Sequence, residues 1–333
     1  MARPDTRPDT RALDRAGRTG VGRAHGKAIL LGEHAVVYGA PALAVPLPRL
    51  TVTARATRLP SPADGVSFAM ARPASAPVRL RAADGLRRLA AEFAAMTGVR
   101  ERMGAEVLID CAVPHGRGLG SSAACARAAV LAFADLFDRR LDAGEVFDLV
   151  QTSERMAHGR ASGIDALATG SSVPLLFRSG TARELRIGFD GLFVIADSGT
   201  SGSTRDAVEL VRRRFERAPG TRASFVDRVA DLTDAAARDL TDGRAADFGA
   251  RLTDNHALLR DVGVSTDRID ALVDAALAAG ALGAKISGGG LGGCAVALAA
   301  DPDRAHAVER DLHDAGAART WIVPAGRYAA HAE

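Results

Sequence analysis

Residues 114–130, PHGRGLGSSAACARAAV, join two apolar segments of different character. Ahead of them, Ala105 to Val113 (AEVLIDCAV) has the apolar run of a buried strand. Behind them, Ala123 to Phe137 is apolar on nearly every face, as a buried helix is. A strand, a glycine-rich loop and a buried helix are therefore expected in that order. Gly116, Gly118 and Gly120 lack a Cβ, so the loop can take positive φ and bring backbone N–H groups against a bound group. A helix starting near Ser121 adds unpaired N–H donors and the positive end of its macrodipole. The Ser121 and Ser122 hydroxyls can cap that helix or reach a metal ion. The group such a loop suits is phosphate.

Glycine-rich turns are common, so context has to agree. Gly118 to Ala123 fits G-x-G-x-x-A, but a dinucleotide fold needs an acidic residue at the end of a second strand about 20 residues on. Asp135 falls inside the continuing helix instead. The P-loop pattern fails as well, because Gly22 to Ala28 (GRAHGKA) is one residue short and has Ala where Ser or Thr should follow the lysine.

A chain of 333 residues exceeds what one core usually covers, so two domains or one large α/β unit are expected. With 47% hydrophobic residues and only 4% aromatic, the core must be built from small aliphatic side chains. The formal charge of +3 is accounted for by residues 1–24, which hold six Arg against three Asp, so no nucleic-acid footprint remains. No apolar run reaches the roughly 18 residues a membrane span needs, and neither an anchor nor a secretory signal is expected. Cys111, Cys125 and Cys294 are scattered without metal-ligand spacing, which fits buried thiols in a reduced, cytoplasmic setting.

Residues 1–19 mix Arg, Pro, Asp and Thr without hydrophobic periodicity and read as a disordered leader. Ala28 to Leu31 reads as a short strand, followed by a turn at Gly32 and an apolar stretch ending before Pro46. Leu50 to Thr57 alternates as a strand does, and Ser61 to Pro77 reads as a loop. Helical spacing predicts helices over Leu80 to Met96 and Ala143 to His158. In the second half, Leu175 to Phe177, Leu192 to Asp197 and Thr320 to Val323 read as strands, as does the run into Ala299. Helices are expected near Phe225 to Leu240, Ala245 to Asp261, Ile269 to Ala279 and Asp303 to His313, with another capped by Ser203 or Thr204.

The wording of the loop is more specific than its glycines. GRGLGSSAA at Gly116 to Ala124, with Pro114 ahead of it, resembles the phosphate motif of the galactokinase, homoserine kinase, mevalonate kinase and phosphomevalonate kinase superfamily. Two more of its motifs follow the same order. Around Lys27, GKAILLGEHAVVYG resembles the first, in the form found in mevalonate kinases. His25 stands where that family mostly has proline, leaving Lys27 in register. KISGGGLGGC at Lys285 to Cys294 resembles the third, with five glycines flanking Leu291. ERMAHGRASGIDALATG resembles the family segment in which a helix-borne glutamate precedes a catalytic aspartate by eleven residues, as Glu154 precedes Asp165.

The resemblance runs from about Val21 to near the C-terminus. It implies an α+β fold of two domains, one like the second domain of ribosomal protein S5 over residues 20–183 and an α/β one over 184–333, with the active site in the cleft between them. It also implies a kinase using ATP and Mg²⁺, with mevalonate as acceptor and a homodimer as the assembly to test for. ATP would lie along Pro114, Gly116, Arg117, Gly118, Leu119, Gly120, Ser121, Ser122 and Ala123. Ser122 and Glu154 would hold the metal. Asp165 would take the hydroxyl proton or orient the hydroxyl, and Lys27 would stand between that carboxylate and the transferring group. Glu33, His34, Thr204, Gly289 and Gly290 are the remaining acceptor-side candidates. Another kinase of the superfamily and a non-catalytic nucleotide sensor are the alternatives; intact Lys27, Ser122, Glu154 and Asp165 speak against the sensor.

Overall fold

The computed structural model describes residues 18–61, 65–71, 78–79, 84–99, 103–159, 161–218 and 220–330. All but the last two residues of the expected leader lie outside that range. The first elements are β1 (Thr19–Leu31), a 3-10 turn (Ala35–Tyr38), β2 (Ala42–Arg58), β3 (Val66–Met70), β4 (Val78–Arg79), α1 (Asp84–Thr97) and β5 (Ala105–Cys111). Next come α2 (Ser121–Leu136), α3 (Ala143–His158), α4 (Ile164–Ala168), β6 (Leu175–Arg178), β7 (Thr181–Glu184) and β8 (Gly191–Asp197). Helices α5 (Thr204–Arg217), α6 (Thr221–Asp242), α7 (Ala245–Asp261) and α8 (Asp267–Ala278) lead to β9 (Gly283–Ser287) and β10 (Cys294–Ala299). The chain closes with α9 (Pro302–Asp314), β11 (Arg319–Ala325) and α10 (Arg327–Ala330).

Two compact units are each assembled from three stretches: residues 1–24, 52–111 and 125–156 form one, and 25–51, 112–124 and 157–333 the other.

In the first unit, β5 lies between β3, which it pairs in parallel, and the second half of β2, which runs antiparallel from Val52↔Cys111 to Arg58↔Ala105. Val52, Ala54 and Ala56 are buried while Thr51 and Arg55 are exposed, the period of two that a one-sided strand requires. Leu86, Leu89, Ala90 and Phe93 form the buried stripe of α1. Aromatic packing closes this core, with Phe133 5.5 Å from Phe93 and 6.2 Å from Phe68. Asp135 on α2 accepts the Val21 N–H at 2.8 Å, so the carboxylate that fits no dinucleotide pattern serves packing here.

In the second unit, an antiparallel sheet of order β11-β8-β10-β9 carries the larger core. Every residue of β8, β9 and β10 is buried: β8 and β10 are central, while β9, at the sheet edge, is covered by α7, whose Thr253 and His256 accept the N–H groups of Ala284 and Ile286. Ala, Val, Leu and Ile dominate that core, as the composition implies. A smaller cluster joins Ile29, Ala42, Ala44, Ile164, Ala168, Leu175 and Phe177. It seats the start of β2 beside β6 and brings α4 into the same packing unit. None of the three cysteines is in a disulfide, and no helix among the described residues is long and apolar enough to cross a membrane.

Three expectations need correction. Strand β1 is far longer than Ala28 to Leu31, and β2 does not end before Pro46 but runs on to Arg58. Pro46 and Pro48 are tolerated because they fall between the segments that pair with β6 and with β5, where a missing N–H costs least. The loop expected over Ser61 to Pro77 contains β3, which gains its order from parallel pairing to β5 rather than from its own short pattern.

Candidate active site

The contacts around the glycine-rich loop lie within the second unit. Gly116, Gly118 and Gly120 take φ of 68°, 76° and 75°, the left-handed region open to glycine. At Gly118 close approach adds to this, since a Cβ there would meet the Ser287 carbonyl oxygen at 2.7 Å and Gly288 Cα at 3.1 Å. The phosphate loop and the third motif thus meet backbone to backbone. Leu119 and Ala123 are fully buried, so what they can offer a phosphate is confined to the main chain. Helix α2 begins at Ser121, and the Ser122 hydroxyl, half-buried, makes no hydrogen bond among the described residues.

Strand β1 places Lys27 against this loop through its own N–H, which donates to Leu119 O at 3.0 Å. The Lys27 ammonium is 2% exposed; it donates to Gly118 O at 3.0 Å and pairs with Asp165 Oδ2 at 3.1 Å. A Cβ at Gly120 would strike the Lys27 stem at 2.9 Å, so the third loop glycine leaves room for the lysine. Asp165 sits in the first turn of α4, which Gly163 opens at φ 103° and Thr169 closes by donating its hydroxyl to Asp165 O at 3.0 Å. Its side chain is 35% exposed, open enough to meet a ligand. His25 remains in the strand and donates its N–H to Thr169 O at 3.3 Å, a bond that proline cannot make.

Arg117 turns its guanidinium to the loop after β8: Nε pairs with buried Asp197 at 3.0 Å, and the terminal nitrogens donate to Ser201 Oγ at 3.1 Å and Gly199 O at 3.0 Å. It braces the loop from behind.

On the turn after β1, His34 takes φ 61°, a strained value for a residue with a Cβ. Its Nε2 donates to Gly289 O at 2.8 Å. Burial, opposed by that bond and aided by the charge of Lys285, lowers its pKa to about 4, so the ring is neutral near pH 7. Glu33, 5% exposed, is paired with the fully buried Lys285, and Asn255 Nδ2 donates to its other oxygen at 3.4 Å. Thr204 opens α5 after the Ser203 cap, and a Cβ at Gly289 would come within 2.7 Å of its hydroxyl. Gly290 packs as tightly on Val264. Lys27, Asp165, Glu33, His34, Thr204, Gly289, Gly290 and the loop Pro114 to Ala123 are therefore all assembled within the second unit. Glu154 belongs to the first unit, 3% exposed on α3.

Sequence reasoning missed Ser287, Thr169, Asp197 and Asn255. Ser287 exchanges two hydrogen bonds with the main chain of Ile29, at 3.1 and 3.0 Å. A serine between an apolar strand and five glycines was a signal for it; nothing local pointed to Asn255.

Family models for the GHMP kinases N terminal domain and GHMP kinases C terminal match residues 82–172 and 235–318. The chain belongs to the GHMP kinases, ATP-dependent kinases of small molecules. The mevalonate kinase of Pyrococcus abyssi is 33% identical over 296 residues, spanning 84% of this chain and 88% of that one. The structure of mevalonate kinase from methicillin-resistant Staphylococcus aureus is 30% identical, with TM-score 0.69 over 93% of this chain and 99% of its own. That of L. major mevalonate kinase in complex with R-mevalonate is 27% identical, with TM-score 0.76 over 93% and 98%. Within the GHMP kinases the chain falls among the mevalonate kinases.

Proposed function

We propose that the chain transfers the γ-phosphoryl group of ATP to the 5-hydroxyl of mevalonate, giving 5-phosphomevalonate for isoprenoid biosynthesis. The observation that carries this reading is the position of Lys27, whose buried ammonium touches both the Asp165 carboxylate and the carbonyl of the central loop glycine. Phosphoryl transfer asks the protein mainly for positioning and charge stabilisation. The loop Gly116 to Ser122 and the start of α2 supply N–H groups for the phosphates. Asp165 receives or orients the acceptor hydroxyl, and Lys27 offsets charge developing on the transferring group. Neutral His34 and the Thr204 and Gly289 edge form the acceptor side.

Magnesium fits the oxygen donors available. The Ser122 hydroxyl, at the start of α2, has no hydrogen bond among the described residues and is an oxygen donor at the loop. Mg²⁺ is a hard cation that takes oxygen ligands and keeps several waters and phosphate oxygens in its shell. When bound, Mg²⁺ neutralises phosphate charge and aligns the β and γ groups.

ADP release measured by a coupled assay against mevalonate, phosphomevalonate, galactose and homoserine tests the reading. Mevalonate should be the preferred acceptor, and preference for any of the other three would refute it.

A further inference from the structure

We infer that Lys285 is a positioning residue for the acceptor site, acting through Glu33 on the strained turn that presents His34. This rests on the kinase reading above. Lys285 lies on β9 and is fully buried; its ammonium donates to Glu33 Oε1 and to Ile286 O. Asn255 on α7 takes the other Glu33 oxygen, so the carboxylate is held from both sides by protein. Glu33 therefore supports the acceptor site from behind rather than reading the acceptor. Two further ties join the same segments: Ser287 to the Ile29 main chain, and His34 Nε2 to Gly289 O. Residues 29, 33 and 34 are thus fastened to residues 287, 285 and 289, and the ion pair is the central fastening.

A buried ion pair is a poor way to gain stability, because desolvation offsets the attraction and an apolar pair of the same volume is often as stable. Its presence beside a positive-φ histidine is better explained by the orientation it imposes. The choice of lysine agrees. In a chain whose other cations, Lys27 apart, are all arginine, a compact ammonium stands where a planar guanidinium would need more room. Burial pulls the Lys285 pKa down and the charge of Lys27 adds to this, while the Glu33 carboxylate opposes it. Other ionisable groups facing this cluster are His34 on the turn, His256 and Arg260 on α7, and Asp270 and Asp274 on α8.

The test compares Lys285→Met, Glu33→Gln and the double variant by steady-state kinetics, using whichever of the four acceptors the wild type turns over best. A wrong acceptor assignment then shows in the wild type and leaves this comparison intact. Each single variant should raise the acceptor KM by about 10-fold or more, because small displacements at a site carry such costs. The ATP KM should change less than about twofold, since removal of acceptor binding alone leaves it untouched. Losses in the double variant should be no greater than in the worse single, the signature of one coupled unit. In Glu33→Gln the acceptor KM should also gain a pH dependence that the wild type lacks, as the isolated Lys285 ammonium gives up its proton more readily; the double variant should lack it. If Lys285→Met does not fold, the double variant, which leaves no lone buried charge, carries the comparison. An acceptor KM at the wild-type value in a folded Lys285→Met or double variant would overturn the inference, as would equal rises in both KM values.

Discussion

Only two of the 43 cationic side chains are lysine, and both are buried with a carboxylate partner: Lys27 with Asp165 and Lys285 with Glu33. Arginine serves everywhere a cation meets solvent or needs a fork, as Arg117 shows. At Lys27 the fork does not fit, because the ammonium reaches between a carboxylate and a main-chain carbonyl with Gly120 pressed on its stem. Lys27→Arg should therefore lower turnover about 100-fold, the usual loss for a transition-state electrostatic contact. Circular dichroism should be unchanged and ATP affinity much less affected; near-wild-type turnover would show the lysine to be incidental. His34 gives a second expectation. Its folded pKa of about 4 lies below the ordinary 6.5, so the unfolded chain binds a proton that the folded chain refuses. Stability from this group is complete above about 6.5 and is lost as pH falls toward 4. The thermal midpoint should fall over that window, and His34→Asn, which tolerates positive φ but does not titrate, should flatten the fall. An unchanged acid limb would assign the loss to other groups.

At the scale of elements, the site depends on two glycine loops meeting without side chains. Gly118→Ala would place a methyl 2.7 Å from the Ser287 carbonyl on a residue at φ 76°. The left-handed backbone alone costs about 1–2 kcal/mol, and the contact must open besides. Activity should fall steeply while the β11-β8-β10-β9 sheet, measured by its far-ultraviolet signal, persists; full activity would mean that the loops need not touch. The sequence made these loops legible because each carries its signal locally, as do helices such as α3 and α7, whose apolar periods ran their full length. Strand β3 was illegible because five residues in a Pro-rich stretch are ordered by pairing with β5 and β4 rather than by a local pattern. The extent of β2 was hidden by prolines that matter only if one knows where its neighbours pair. Glu33 could be named from its motif, but its partner stands 252 residues away, and no local pattern encodes such a distance.

For the whole molecule, each compact unit draws on stretches far apart in sequence. Magnesium-ATP should raise the thermal midpoint of the wild type in a concentration-dependent way, as any ligand of the folded state does. Gly118→Ala should lose most of that rise, and an equal rise in both would place nucleotide binding elsewhere. The reaction is defined by the bond it forms, which phosphorus NMR of the products from mevalonate and magnesium-ATP identifies. The expected result is a phosphate monoester coupled to the protons on carbon 5 of mevalonate, appearing in step with ADP. Inorganic phosphate in its place, or a diphosphate formed from phosphomevalonate while mevalonate stays unreacted, would contradict it.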